Sequence, residues 1–254
     1  MLSITNQHPR DLAIQFFDEY QGREHVYLLE GAPDYPTSVT TLIHKHFEHF
    51  DADKIIDKYY NKWQGDLKNK YYGLSKEQIK QLWEDNRVDA STKGTNMHKA
   101  IEDFFNGELV EEPDTKEFGY FKNWWKSFTE NNPTYRPYRT EWMVYNDKKT
   151  IAGSIDYTTI NHLEEITIFD WKRSKEIKAK SPFGKKGLWP LKHLDDCNYA
   201  HYCLQLNCYR LILMNFYGKK VNGMYLIILH PDNNNYMMLP VPVLEREASE
   251  LLGL

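Results

Sequence analysis

The chain has 254 residues, 41% of them hydrophobic and 15% aromatic, with a formal net charge of −4. This composition excludes a disordered chain and a histone-like polycation, and the length allows one large domain or two small ones. The charge is unevenly spread: residues 1–131 carry net −7 and residues 132–254 net +3.

The first half reads mainly as helices. Ile43, Phe47 and Phe50, then Ile55, Ile56, Tyr59 and Trp63, recur at helical spacing, with a loop near 51–53. Ser75 is placed to cap a helix carrying Ile79, Leu82 and Trp83, with Gln78 as its capping-box partner. A second helix is expected from Thr95 to Gly107 with Met97, Ile101 and Phe104 on one face. A third runs from Thr115 to Thr129 and is bracketed by Pro113 and Pro133. These elements define an N-terminal helical lead-in over residues 1–90, packed on a core over 91–254.

The middle changes character. Segments 138–145, 150–160 and 165–171 are short, rich in β-branched and aromatic residues, and separated by polar turns, which predicts a three-stranded meander. A polar loop spans 173–193. A long helix is expected from Asp195 to Tyr217, closed by Gly218. Strands at 221–229 and 236–241 and an amphipathic helix complete the chain. The order α-β-β-β-α-β predicts an α/β core with a mixed central sheet flanked by helices.

All three cysteines (Cys197, Cys203, Cys208) lie on or beside the 195–217 helix. An odd, clustered set gives no disulfide framework and predicts an intracellular, reducing compartment. Without a CxxC pair or a fourth Cys, they read as buried helix thiols and not as an iron–sulfur site. No apolar run approaches the ~18 residues of a membrane span, so no membrane association is expected. The sequence names no protein partner.

Chemistry concentrates in the meander. Asp170 and Lys172 are i and i+2 on one strand, so they project to the same face, with the Trp171 carbonyl between them. One turn earlier stands Gly153-Ser154-Ile155-Asp156. Antiparallel pairing can bring Asp156 close to Asp170, and two close carboxylates call for a cation. His98 and Glu102 are i and i+4 on the preceding helix, where Glu102 reads as an ordinary helix-surface partner. Gln205 and Tyr209 are i and i+4 on the following one.

The series GTNMHKAIE, AGSID, FDWK and QLNCY resembles the PD-(D/E)XK nuclease superfamily, in particular its RecB-like branch of lone exonucleases. The resemblance is densest over 91–230, weaker over 37–90, and absent from residues 1–30 and the last helix. It implies a restriction-endonuclease-like core and a metal-dependent DNA nuclease, most often an exonuclease acting on free or single-stranded ends in DNA repair or recombination. It further implies that His98, Asp156, Asp170 and the Trp171 carbonyl hold Mg²⁺ (Mn²⁺ as a substitute). Lys172 would position the water or stabilise the transition state. Gln205 and Tyr209 would support the site, and Glu141 is a further candidate acid. The four-cysteine set of the iron–sulfur subtype is missing, so no cluster is expected. An RNA endonuclease of the same fold, of the cap-snatching kind, and an inactive nucleic-acid-binding module are the rival readings. A complete acid–acid–lysine set argues against the second.

The loop after Lys172 supplies cations for a phosphate backbone: Arg173, Lys175, Lys178, Lys180, Lys185 and Lys186, with the aromatic rings of Phe183 and Trp189 among them. Gly184 and Gly187 predict that this loop moves.

Overall fold

A computed structural model describes residues 1–148 and 150–254. The chain divides into two units, residues 49–96 and the remainder (1–48 with 97–254).

The larger unit begins with a short helix α1 (Leu2–Thr5), a 3₁₀ turn at Pro9–Ala13 and a hairpin of β1 (Ile14–Tyr20) and β2 (Arg23–Leu29). The helical lead-in expected over 1–90 is therefore helical only in part. Gln21 and Gly22 close the hairpin with φ of +52° and +73°. This is the all-positive-φ pair that matches strand twist in a two-residue loop. Asp11 fastens the segment to the core, because its carboxylate accepts Arg139 Nη1 at 2.5 Å and Trp142 Nε1 at 3.0 Å.

A two-residue strand β3 (Thr37–Ser38) leads into α2 (Val39–His44), whose N-cap is Ser38. The smaller unit holds α3 (Ala52–Gln64) and the first part of α4 (Lys76–Asn106). Ile56, Tyr71 and Ile79 form its centre, and Trp83 Nε1 donates to the Tyr71 hydroxyl at 2.8 Å. The Ser75–Gln78 capping box forms in both directions. The helix it opens does not stop before Gly94. It runs unbroken to Asn106, so the two helices expected over 75–107 are one. A single internal glycine costs a helix about 1 kcal/mol, too little to end it.

Next come α5 (Lys116–Asn131), β4 (Arg136–Tyr145), β5 (Ile151–Ile160), β6 (Glu165–Lys172), α6 (Asn198–Phe216), β7 (Lys220–Ile228), β8 (Met237–Pro240) and α7 (Glu245–Leu252). The meander is present as read from sequence. The larger sheet has the path β3-β5-β6-β7-β8, with β4 on the other edge of β5. β6 and β7 are parallel, while β4, β5 and β6 are antiparallel, so the sheet is mixed. Helices cover both faces. One cluster joins the sheet to α2, α6 and α7, and the other joins it to α5 and the end of α4. No helix among the described residues is long and apolar enough to cross a membrane.

The pairing of β5 is interrupted. β4 follows one edge along residues 152–160. On the other edge, β3 pairs only with 151–152 and β6 only with 157–160. Residues 153–156 have no strand partner there, so β5 and β6 splay apart beyond the Tyr157–Phe169 pair.

Gly153 lies at this split under the ring of Tyr209 on α6. A Cβ at 153 would stand 2.6 Å from Tyr209 Cε1 and 2.8 Å from its hydroxyl. Glycine is thus what lets α6 bring Tyr209 flat against the strand. Gly153→Ala is expected to lower unfolding stability by about 1–3 kcal/mol through overpacking. Urea denaturation checks this, and an unchanged midpoint would show that the ring is free to move aside.

Candidate active site

The split in the sheet brings the candidate residues together. Because β5 turns away, the Trp171 N–H has no ladder partner and donates instead to Asp156 Oδ2 at 2.8 Å. The Trp171 carbonyl lies 3.0 Å from His98 Nε2 on α4. A carbonyl only accepts, so Nε2 carries a proton and Nδ1 faces the carboxylates. His98 Nδ1 is 3.7 Å from Glu141 Oε1 and 3.7 Å from Asp156 Oδ2. One ligand atom from each of His98, Glu141 and Asp156 falls within 4.8 Å of the others.

Glu141 reaches this group by an unusual route. It sits in β4 with φ of +41°, a left-handed conformation rare for a residue with a side chain. Ser154 Oγ donates to its Oε2 at 2.9 Å and holds the carboxylate in place.

Asp170 and Lys172 continue the row of β6 that begins with Ile166 and Ile168 and faces the α6 side of the sheet. Lys172 Nζ is 2.7 Å from Asp170 Oδ2 and lies over the Tyr202 ring at 4.8 Å. Asp170 is 2% exposed. The ammonium approaches it without the angles of a formed hydrogen bond, and neither Asp170 oxygen has a hydrogen-bond partner among the described residues. Gln205 Nε2 points at the Tyr209 hydroxyl at 3.4 Å, behind Gly153.

The electrostatics follow from crowding acids in a buried place. Burial pulls the His98 imidazole down, but the charges of Asp156 and Glu141 outweigh it and push it up to about 9. Burial, with the charges of Asp170 and Glu141, pushes Asp156 up to about 7 against the pull of His98 and Lys172. Burial opposes the charge on Lys172, while Asp170 and Asp156 reinforce it, with a net upward shift. Lys172 is therefore a cation at neutral pH, suited to orient or stabilise, not to take a proton. Glu102 forms no pair with His98; burial and the charge of Glu141 raise it.

Imidazole and carboxylate oxygens form a donor set for a hard or borderline divalent cation. The mutually repelling carboxylates of Glu141 and Asp156, beside His98, fit such an ion. His98, Glu141 and Asp156 form the compact group; Asp170 lies beside it on Lys172, and the Trp171 carbonyl is engaged by His98.

No family model and no curated protein matches the chain. Among solved structures, that of SSO0001 aligns over 85% of this chain and 72% of its own at 14% identity, with a TM-score of 0.32.

Sequence reasoning left out two residues at the site. Ser154, within the Gly153–Asp156 motif, carries no signal of its own for holding Glu141. Tyr27, on β2, lies where no resemblance was seen. Its phenol is buried, faces the Ser154 backbone N–H, and is raised by burial and by the charges of Glu141 and Asp156. Nothing in the local pattern of residues 14–29 signals this position.

The basic loop after β6 is fastened down. Arg173 pairs with Glu117, Lys175 with Asp232, Lys178 with Glu176, Lys185 with Glu48 and Lys186 with Asp195. Lys180 is exposed, as is Trp189 at 72%. Leu191 is fully buried, and a Cβ on Gly187 would lie 2.5 Å from its carbonyl oxygen. Gly187 thus serves a close approach of two backbone segments.

Removing one partner of a buried ion pair strands the other. Lys172→Met is expected to cost about 3–5 kcal/mol of stability in chelator-treated protein. The Asp170→Asn/Lys172→Met double variant should recover most of that loss. Denaturant titration of the full cycle measures the coupling, and additive effects would show that the pair does not interact.

Proposed function

We propose that this chain is a metal-dependent DNA nuclease of the PD-(D/E)XK type, related to the RecB-like exonucleases, that hydrolyses phosphodiesters at free or single-stranded DNA ends. One observation carries the reading. His98, Asp156, the Asp170-Trp171-Lys172 strand and the Gln205/Tyr209 helix are spread over more than a hundred residues of sequence, yet they meet at one break in a mixed sheet. Independent surface pairs would have no reason to converge in this way.

His98, Glu141 and Asp156 would hold the cation, with Asp170 next to them. A bound Mg²⁺ or Mn²⁺ supplies Lewis-acid stabilisation of charge on a phosphate and lowers the pKa of a water ligand. The chain's own groups prepare the rest. Asp156 ties the Trp171 backbone and so fixes the direction in which Lys172 projects. Lys172, held charged by Asp170, donates hydrogen bonds to the attacking water or to the oxygen on which negative charge develops. Ser154 keeps Glu141 turned toward His98. The water would attack phosphorus and release its proton to solvent, the bond to the 3′-oxygen would break, and that oxygen would leave with the electron pair and take up a proton from solvent.

Incubation of the full chain with end-labelled linear DNA and Mg²⁺ is expected to release short products. Closed circular single-stranded DNA and RNA should remain intact. Lys172→Ala should reduce cleavage by at least about 10²–10³-fold, the usual cost of removing one preorganised donor. Cleavage of the circle would instead make the enzyme an endonuclease, and undiminished cleavage by Lys172→Ala would overturn the mechanism.

A further inference from the structure

Two cavities that share lining residues lie beside Lys172 and the start of α6. The inner one, about 320 Å³, is lined by Lys172, Gln205, Tyr202 and His44. The outer one, about 540 Å³, is lined by Lys175, Lys178, Lys185 and Phe183 together with the acids Glu176 and Asp196. Asn198 and His201 line both. The cavities are thus two chambers of one trough that starts at the candidate catalytic lysine.

The partition is a built feature. His201 is held by Asp196 at 3.1 Å, and its ring packs on Phe47 with centroids 4.0 Å apart. Asn198 accepts the Lys178 N–H at 2.8 Å and donates to the Glu176 carbonyl at 2.8 Å, so the loop is stitched to the start of α6. The walls of the trough are set before any ligand arrives.

The two chambers differ in chemistry. No carboxylate lines the inner one; an ammonium, two imidazoles and two amides do. These groups match a phosphate and the hydrogen-bonding edge of a base. The outer chamber carries an aromatic ring at its mouth. Phe183 is 70% exposed and makes no ring contact with another aromatic side chain among the described residues. A free aromatic face beside lysines is how sequence-independent binders hold unpaired bases. Each chamber falls within the roughly 300–1,000 Å³ range of small-ligand sites.

We propose that this trough binds single-stranded DNA. One unpaired nucleotide beyond the scissile phosphate would occupy the inner chamber, and the next would stack on Phe183 in the outer one. The proposal rests on the nuclease reading for its direction, since the trough is defined as leading away from Lys172.

The test is fluorescence anisotropy on the full chain in EDTA, with a labelled twelve-nucleotide oligo(dT) and a blunt twelve-base-pair duplex as probes. Tighter binding of the single strand by about tenfold or more is expected. Phe183→Ala should weaken single-strand binding about tenfold, the effect of losing one base–aromatic stack, and Phe183→Trp should restore it. Phe183 is exposed, so neither change threatens the fold. Equal affinity for the two probes, or unaltered single-strand binding by Phe183→Ala, overturns the proposal. Because EDTA removes the reaction, the two readings separate. A wild-type chain that cleaves DNA while Phe183→Ala binds normally refutes the trough alone. One that cleaves nothing while the Phe183 effect persists refutes the nuclease reading alone.

Discussion

The site depends on one diverted backbone hydrogen bond. A buried N–H must find a partner, and in a sheet the partner is normally the next strand. At Trp171 that strand has turned away, and the Asp156 carboxylate takes the bond instead. The exchange is not a loss, because the Asp156 oxygen accepts the bond at 2.8 Å, a normal hydrogen-bond length. It also locks an acid at the point where two strands separate. The opposite pole of the same peptide group, the Trp171 carbonyl, meets His98. A single peptide unit therefore sets the positions of both groups, one on β5 and one on α4.

The opening that results is expensive to fill with charge. Three carboxylates face it or lie beside it: Glu141, Asp156 and Asp170. Two cationic groups offset them in the absence of any ion, the Lys172 ammonium and the proton that His98 retains. Neither arrangement is what a stable core would choose, since apolar side chains of similar volume would pack there at lower cost. Strain of the same kind appears in the backbone at Glu141, whose left-handed φ lies inside β4, a strand whose register against β5 also shifts between Pro137 and Arg139. Residues held in such conformations are kept by their surroundings, here by Ser154 and the flanking β4–β5 pairs.

Much of this was legible because it obeys short periods. Asp170 and Lys172 share a face by strand alternation, Gln205 and Tyr209 by helical spacing, and the meander by its β-branched runs and polar turns. What escaped needed information from elsewhere in the chain. Residues 14–29 alternate poorly and turn at Gln21-Gly22, a weak hairpin signal, so the strand carrying Tyr27 was not anticipated. The helix through Gly94 persists because a single internal glycine imposes only a modest propensity penalty. Glu141 was legible as a candidate acid, but the left-handed backbone that turns it into the site is encoded by no periodicity. The charge run after β6 was visible as composition, but its acid partners come from residues 48, 117, 195 and 232, which no local window relates to it.

Those partners change what the loop is electrically. Glu48, Glu117, Glu176, Asp195 and Asp232 act as counterions built into the protein. A phosphate that binds here exchanges one anion for another at each lysine, and the displaced carboxylate returns to water. Fewer salt ions are then liberated from the loop itself than a count of its cations implies. Under the proposed strand binding, the dependence of affinity on ionic strength would be weaker than the number of loop cations implies. The loop is thus a surface of modest net potential that becomes positive only where a ligand has already displaced its internal anions.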